Sequence, residues 1–219
     1  PSELNWREKG MIVKQETVFP KSNSTTLTIS CKKPVKLAIQ IRNPWWSKDQ
    51  AKFELNGKEV MAKKSDNGYW VIDRTWRNGD QFKVSFVLSA YSESMPDNPN
   101  RVALLYGPLV LAGELGQEEP DPIYGVPVLL TANRKVSDWT MATEGKPLHF
   151  TTHGAGEPKD ISLMPLYEMT GQRYNVYWDY FTPEGWVKQK AEYETEKLKQ
   201  KKVDEQTVDQ MRIGEMQAE

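Results

Sequence analysis

The fold class is most readable in the stretch of residues 35–60, VKLAIQIRNPWWSKDQAKFELNGKEV. In its first eight residues, apolar side chains occupy every second position, as in a strand with one face towards a core. Near its end, Asn56-Gly57 tolerates the positive φ angles of a tight type I′ turn and predicts a hairpin. The stretch therefore predicts antiparallel β structure. The alternating apolar residues are Val35, Leu37, Ile39 and Ile41.

Similar strand-like runs surround this stretch. The runs GYWVIDRTW (68–76) and DQFKVSFVL (80–88) are joined by RNGD (77–80), which predicts a second hairpin. The apolar run RVALLYGPLVLAGEL (101–115) is broken by Gly107-Pro108 and predicts two buried strand pieces around a bend. Many short strands at this spacing favour a β-sandwich over residues 1–115. The side chains expected in or near its core are Leu37, Ile39, Ile41, Phe53, Val71, Phe82, Val84, Phe86, Leu109 and Val110.

The rest of the chain divides into two further parts. Residues 116–181 predict a second, smaller β unit, whose opening GQEEPDP (116–122) is typical of a linker or exposed loop. A helix is predicted from Thr182, with this residue as N-cap and Pro183 in the first helical position. The helix, with one narrow apolar stripe, either docks on its own domain or binds a partner. Residues 204–219 show no period and are expected to lie extended or loose. The fold class is thus mainly all-β: a β-sandwich, a second β unit and a C-terminal helix with a tail over 182–219.

Composition excludes several classes of function. The formal net charge of −1 gives no field that would favour nucleic acid or an anionic membrane surface. No run approaches the ~20 apolar residues of a membrane span. The single cysteine, Cys31, cannot form an internal disulfide or a cysteine metal cluster, and it is expected to be a small buried hydrophobe.

Catalytic chemistry is not visible in the pattern of residues. The two histidines, His149 and His153, flank a strand and a glycine-rich loop, which is a poor setting for a metal site. No glycine-rich phosphate loop is present. A glycosidase needs two carboxyl groups across a sugar-sized cleft, but spacing marks no pair among the carboxylates near strands, Asp73, Asp80, Glu93 and Asp179. We therefore predict no catalytic residue, no metal and no cofactor. Core packing is the expected role of Trp6, Trp70, Trp76, Trp139 and Trp178.

Four motifs together resemble a known family. They are LAIQIRNPWWSKDQAKFELNGKEV (37–60), GYWVIDRTWRNGDQFKVSFVL (68–88), NRVALLYGPLVLAGEL (100–115) and LMPLYEMTGQRYNVYWDYF (163–181). In order and spacing they resemble the region behind the catalytic barrel in glycoside hydrolase family 127, which is typified by β-L-arabinofuranosidases. The resemblance covers most of residues 1–180.

The resemblance implies an accessory role rather than catalysis. The family's nucleophile is a cysteine held at a zinc ion in a helical (α/α)6 barrel, and no part of this chain, Cys31 included, matches that site. The implied partner is the catalytic barrel of the same polypeptide, with the chain packing on it and shaping its cleft. The parent protein would then be a glycoside hydrolase, and the fragment itself would be inactive. Because the chain starts without methionine and ends in GEMQAE, we expect a piece of a longer protein. The termini leave its localisation unknown, and the resemblance implies a periplasmic or extracellular one.

The paired tryptophans are the candidate contact residues. Trp46 falls on a tryptophan of the family, which implies a structural anchor, whereas Trp45 falls where the family usually has glycine. Trp45 is therefore expected to be exposed, against the barrel, against a sugar ring or against neither. The alternative function is an autonomous carbohydrate-binding module for a plant-type polysaccharide, with an oligosaccharide as partner. A module would show a row of exposed aromatic side chains with polar neighbours, and a scaffold would show an apolar patch.

Overall fold

The computed structural model of the protein describes residues 1–116 and 127–218. Within these residues the chain is mainly β and ends in one long helix, which confirms the predicted fold class. Two compact units, Pro1–Ser89 and Ala90–Glu219, each contain their own hydrophobic core. The linker predicted at 116–122 falls almost entirely on residues outside the described ranges.

The first unit contains nine described strands and two short 3-10 helices, Arg7–Lys9 and Trp45–Ser47. The strands are β1 (Ser2–Trp6), β2 (Met11–Thr17), β3 (Ser24–Cys31), β4 (Val35–Arg42), β5 (Ala51–Leu55), β6 (Lys58–Glu59), β7 (Lys63–Lys64), β8 (Tyr69–Trp76) and β9 (Gln81–Phe86). They form a six-stranded sheet in the order β1-β2-β3-β9-β5-β6 and a three-stranded sheet in the order β4-β8-β7. Side chains from both sheets share one core, in which the Trp76 and Phe82 rings lie 5.6 Å apart.

Two local predictions in this unit are confirmed. Along β4 half-buried and exposed residues alternate strictly, and Val35, Leu37, Ile39 and Ile41 pack against the core. Asn56-Gly57 connects β5 to β6, with φ angles of 51° and 76°, as the predicted hairpin requires.

The prediction of a hairpin at RNGD (77–80) is wrong. β8 pairs with β4 and β7, whereas β9 pairs with β3 and β5, so this turn carries the chain from one sheet to the other. Backbone hydrogen bonds hold the turn against β3: Gly79 N–H donates to Ile29 O, and Ile29 N–H donates to Asp80 O, both at 2.8 Å. The turn residues are those of a hairpin, but strand pairing decides where the turn leads.

The predicted core of the first unit needs two corrections. Phe53, Phe82 and Val84 are buried, but Val71 is not part of the core, because Ile72 beside it faces inwards. Leu109 and Val110 lie half-buried in the second unit. The chain divides after Ser89 rather than at residue 115, since residues 101–116 pair with later strands of the second unit.

The second unit is built on a ten-stranded sheet and adds the 3-10 helices Val136–Asp138 and Leu166–Glu168 and the helix α1 (Pro183–Ala218). Its described strands are β10 (Ala90–Ser94), β11 (Arg101–Tyr106), β12 (Leu109–Gly116), β13 (Val128–Leu130), β14 (Thr140–Ala142), β15 (Phe150–Thr152), β16 (Gly156–Glu157), β17 (Ser162–Pro165), β18 (Arg173–Asn175) and β19 (Tyr177–Phe181). The main order is β14-β15-β17-β12-β11-β19-β13-β16, while β10 pairs with β11 and β18 with β12.

Trp178 lies at the centre of the second core. It is fully buried, and β19 pairs it with Val102 of β11. Its ring lies directly over Gly113, where a Cβ atom would stand 2.4 Å from the indole carbons. Glycine at position 113 is therefore what lets β12 approach the indole ring.

Helix α1 starts as predicted and ends later than predicted. Thr182 caps it by accepting a hydrogen bond of 3.1 Å from Gly185 N–H to its Oγ1 atom. Trp186 is buried and lies 4.8 Å from the Phe181 ring, which docks the first turn on its own unit. The helix continues to Ala218, so the extended tail predicted for 204–219 is wrong. Within the described residues, no helix combines the length and the apolar character that crossing a membrane requires.

Candidate functional site

The candidate site is the loop of residues 43–50 that follows β4, which we call the tryptophan loop. It contains the 3-10 turn Trp45–Ser47, in which Ser47 N–H donates to Pro44 O at 3.0 Å and Lys48 N–H donates to Trp45 O at 3.1 Å. Pro44, whose ring restricts φ, enters the turn in an extended conformation. The backbone of the loop is therefore closed by its own hydrogen bonds.

Polar side chains fix the base of the tryptophan loop. Ser47 is buried and donates its hydroxyl hydrogen to Pro44 O at 2.8 Å. Asn43 donates to Asp49 Oδ1 at 2.5 Å, and Lys64 of β7 forms an ion pair of 2.6 Å with Asp49. The hydrogen bond from Lys64, and to a smaller extent the one from Asn43, lowers the pKa of Asp49 below its ordinary value. The loop is thus tied to the neighbouring strand as well as to itself.

Trp46 holds the loop from beneath. It is half-buried, and its ring stacks on Phe19 at 6.1 Å and meets Phe86 edge-on at 5.6 Å. Offset and edge-on pairs of this kind are favourable arrangements of aromatic rings. These contacts give Trp46 the position of an anchor.

Trp45 points its side chain outwards. It is 64% exposed, although it is held in the same short turn as the half-buried Trp46. A large aromatic side chain on a fixed backbone loses little entropy when it docks. The loop can therefore contact either an apolar protein surface or the face of a sugar ring.

The two histidines differ in the contacts they make. His149 lies with Nε2 3.5 Å from a Glu168 carboxylate oxygen, and its Nδ1 lies 3.0 Å from Pro147 O. His153 donates its backbone N–H to Trp139 O at 2.7 Å. No group of three or more His, Cys, Asp or Glu side chains with metal-binding geometry occurs within residues 1–116 and 127–218.

The four carboxylates named from the sequence lie in different settings. Asp73 and Glu93 are exposed on β8 and β10. Asp179 forms a bidentate pair with Arg101, with N–O distances of 2.8 and 3.3 Å. Asp80 is buried and accepts hydrogen bonds of 2.9 Å from Asn56 Nδ2 and from Arg77 N–H. Asp80 and Asp179 thus have structural partners.

The other aromatic residues and Cys31 differ in burial. Trp76, Trp139 and Trp178 are buried, Trp70 is half-buried against the core, and Trp6 is exposed at 36%. Cys31 is half-buried at the edge of the first core rather than fully enclosed.

The sequence reasoning did not single out the exposed tyrosines of the second unit. Tyr174 lies opposite Glu114 in the pairing of β18 with β12, and Tyr177 follows at the start of β19; both side chains are exposed. The alternation in RYNVYWDYF (173–181) could have indicated that Tyr177 is exposed. Trp178 and Tyr180 face the core, so Tyr177 must face away from it.

The first unit is thus a β-sandwich whose tryptophan loop presents Trp45 with 64% of its surface exposed. Residues 1–88 match the family model "Beta-L-arabinofuranosidase, GH127 middle domain". No curated protein matches the sequence.

Solved structures share the fold over more than four-fifths of the chain. They include a GH127 β-L-arabinofuranosidase from Geobacillus stearothermophilus T6, with 19% identity, a TM-score of 0.62, and coverage of 82% of this chain and 32% of that one. A GH127 β-arabinofuranosidase, BT3674, gives 20% identity, a TM-score of 0.59 and coverage of 83% and 34%. A third structure, described as a glycoside hydrolase, gives 21% identity, a TM-score of 0.56, and coverage of 81% of this chain and 34% of that one. The chain thus spans about a third of the length of these proteins.

Proposed function

We propose that the chain is a non-catalytic accessory region of a larger glycoside hydrolase, which packs on an (α/α)6 catalytic barrel of the same polypeptide and shapes one wall of its cleft. The observation that carries this proposal is Trp45, which is 64% exposed on a loop that the Trp46–Phe19 contact and the Asp49–Lys64 ion pair connect to the rest of the first unit. The family match over residues 1–88 supports the same role. The activity proposed for the whole protein is that of a β-L-arabinofuranosidase.

The physical argument rests on the cost of docking. An interface anchor contributes most when its side chain is already positioned before binding, because little conformational entropy is then lost. Tryptophan is enriched among such anchors. A glycine at position 45, as the resemblance suggests for the family, would offer no side chain to the partner, so this chain would make a contact that its relatives lack.

The test compares Trp45→Ala with the control Val18→Ala in the longer protein that contains the chain. Val18 has a similar exposed fraction, 67%, and lies outside the tryptophan loop. We expect Trp45→Ala alone to speed amide exchange in the barrel and to lower turnover of an aryl β-L-arabinofuranoside. Equal exchange and turnover in both variants would contradict the proposed contact.

The chain alone is proposed to have no glycosidase activity. The cysteine nucleophile and zinc ligands that the resemblance implies for the family have no counterpart at Cys31, which lies half-buried beside the backbone oxygen of Trp76. A screen of the purified chain against aryl glycosides should show only the background rate. Robust turnover that survives repeated purification would refute this part of the proposal.

Carbohydrate binding is the second candidate function, favoured by the exposed Tyr174 and Tyr177 of the second unit. Tyrosines beside polar groups such as Glu114 can stack on a sugar and hydrogen-bond to it. Calorimetric titration of the chain with arabinan and pectic oligosaccharides tests this function. Binding that Tyr174→Ala removes and Trp45→Ala leaves intact would place a sugar site on the second unit.

A further inference from the structure

A strand edge in the first unit is open to an additional strand. In the three-stranded sheet β4 is the end strand, so within the described residues it pairs with β8 on one side only. An edge strand presents backbone N–H and C=O groups that can pair with another chain. All eight residues of β4 are in register with β8, so the opposite edge is regular over the same length.

The six-stranded sheet of the first unit extends beyond this edge. Leu4 pairs with Val13 and Trp6 pairs with Met11 between β1 and β2. Since Val13 and Met11 pack in the core, Leu4 and Trp6 lie on the same inner face of the sheet. They are nevertheless 55% and 36% exposed. The three-stranded sheet therefore leaves the inner face of β1 uncovered.

A mostly apolar groove of about 350 Å³ lies between β4 and this uncovered floor. Its main apolar lining comes from Leu4, Trp6, Met11, Val13, Leu37 and Ile39. Ser2, Glu3 and Gln15 also line the groove, but most of its surface is apolar and suits apolar side chains. In a strand added to β4, every second side chain would point into the groove.

The charge along the edge of β4 defines the partner further. Lys32, Lys33, Lys36 and Arg42 are all exposed, and residues 32–42 contain no Asp or Glu. Opposite charges on neighbouring strands stabilise their pairing, and like charges oppose it. A second copy of β4 would bring four more cations to the same seam, which disfavours self-pairing. An acidic strand would neutralise this edge.

We propose that the edge of β4 binds an extended segment of a partner protein, in which apolar side chains alternate with carboxylates. The segment adds a strand to the three-stranded sheet. Main-chain hydrogen bonds to β4 supply affinity, and the apolar groove selects the side chains, as in other cases of strand addition. The carboxylates lie beside Lys36 and Arg42 on the outer face.

The test uses three synthetic decapeptides with the whole chain: alternating Val and Glu, alternating Val and Lys, and the Val/Glu peptide N-methylated along one edge. Binding is measured by calorimetry and located by amide hydrogen exchange. We expect the Val/Glu peptide to bind and to slow exchange in β4. The Val/Lys peptide should bind about tenfold more weakly or less, and N-methylation should abolish binding, because it removes the donors that pair with β4.

Two variants and one control complete the design. Leu4→Asp places a charge on the groove floor, and the double variant Lys33→Glu/Lys36→Glu reverses the charge of the edge. Val18→Asp is the control, since Val18 is exposed outside the groove. We expect Leu4→Asp to weaken Val/Glu binding about tenfold, the double variant to prefer the Val/Lys peptide, and Val18→Asp to bind like the parent chain.

Three results would overturn the proposal. The first is equal binding of the Val/Glu and Val/Lys peptides, and the second is peptide binding that leaves exchange in β4 unchanged. The third is a concentration-dependent dimer that protects β4 without any peptide, since a second copy would then occupy the edge.

Discussion

Among single residues, Trp45 and Trp46 are chain neighbours with different contacts. Trp46 stacks with Phe19 and Phe86, while Trp45 is largely exposed. We expect Trp46→Ala to lower the free energy of unfolding by about 1–3 kcal/mol, because a half-buried ring loses part of the 3–5 kcal/mol typical of a buried one. Trp45→Ala should change it by less than about 0.5 kcal/mol.

Thermal and urea unfolding of the two variants checks this prediction. Phe19→Ala is a useful companion, since it removes the partner of Trp46 and leaves the exposed Trp45 in place. If Trp45→Ala unfolds as readily as Trp46→Ala, the assignment of anchor and contact residue is wrong.

The buried carboxylate of Asp80 is expected to make the free energy of unfolding depend on pH. Burial alone would raise the pKa of Asp80, but hydrogen bonds from Asn56 and the Arg77 N–H, with the charges of Arg74 and Arg77, outweigh it and lower the pKa below 3.8. The folded state therefore favours the ionised form. The contribution of Asp80 to stability is present when the pH is above the pKa of this group in the unfolded chain. It is lost as the pH falls through the lower pKa of the folded state.

Asp80→Asn should lower the free energy of unfolding by about 1–3 kcal/mol at pH 7, because a charged acceptor of two hydrogen bonds is lost. The difference from the parent chain should shrink as the pH falls below 3.8. Asp73→Asn, at an exposed position, serves as the control. A constant difference between Asp80→Asn and the parent chain from pH 7 to pH 2 would contradict this assignment.

Among the elements, β4 shows what sequence periodicity can predict. Its alternating pattern has one apolar face, so period and phase are both readable, and the structure confirms them. In β8 both faces carry apolar side chains, so the pattern predicts a strand but not that Ile72 rather than Val71 faces the core. Strand pairing depends on distant residues, which is why RNGD could not be distinguished from a hairpin.

Part of the candidate site could be predicted from the sequence, and part depends on how distant strands pack. The resemblance predicted an exposed Trp45 and an anchoring Trp46; Trp45 is 64% exposed, whereas Trp46 is half-buried against Phe19 rather than fully enclosed. The Asp49–Lys64 ion pair and the groove beside β4 depend on how separate strands meet, and local sequence does not contain that information.

The contact between β12 and β19 is set by one glycine. A Cβ at position 113 would stand 2.4 Å from the Trp178 ring and 2.7 Å from Ile161, so the core must shift to accept it. We expect Gly113→Ala to cost about 1–3 kcal/mol, the range for overpacking a core. In a double-mutant cycle with Trp178→Phe, the cost of Gly113→Ala should fall. If the two substitutions prove additive, the close contact does not control stability.

The start of α1 depends on its cap. Thr182→Ala removes the acceptor for Gly185 N–H and should destabilise the first turn by about 0.5–2 kcal/mol. Thr207→Ala is the matched control, because Thr207 lies inside the helix and alanine is the better helix former there. Amide exchange of residues 184–190 should become faster only in the Thr182 variant. Faster exchange in both variants, or in neither, would refute the cap.

For the molecule as a whole, the two units have separate cores. The first core is built from residues such as Ile29, Phe53 and Trp76, the second from Val102, Leu111 and Trp178, and the two share no residue. Sheet pairing likewise stays within each unit among the described strands. A unit that contains its own core and its own strand pairs meets the physical requirement for folding alone.

We therefore expect residues 1–89, expressed separately, to fold cooperatively. A β-type far-UV spectrum, one unfolding transition and a near-UV signal from the packed Trp76 should be observed. The variant Phe82→Ala, which removes a fully buried ring of this core, should lower the unfolding midpoint of the separate unit and of the same segment in the whole chain by similar amounts. An isolated segment that stays unfolded, while the whole chain folds, would show that the first core depends on residues after Ser89.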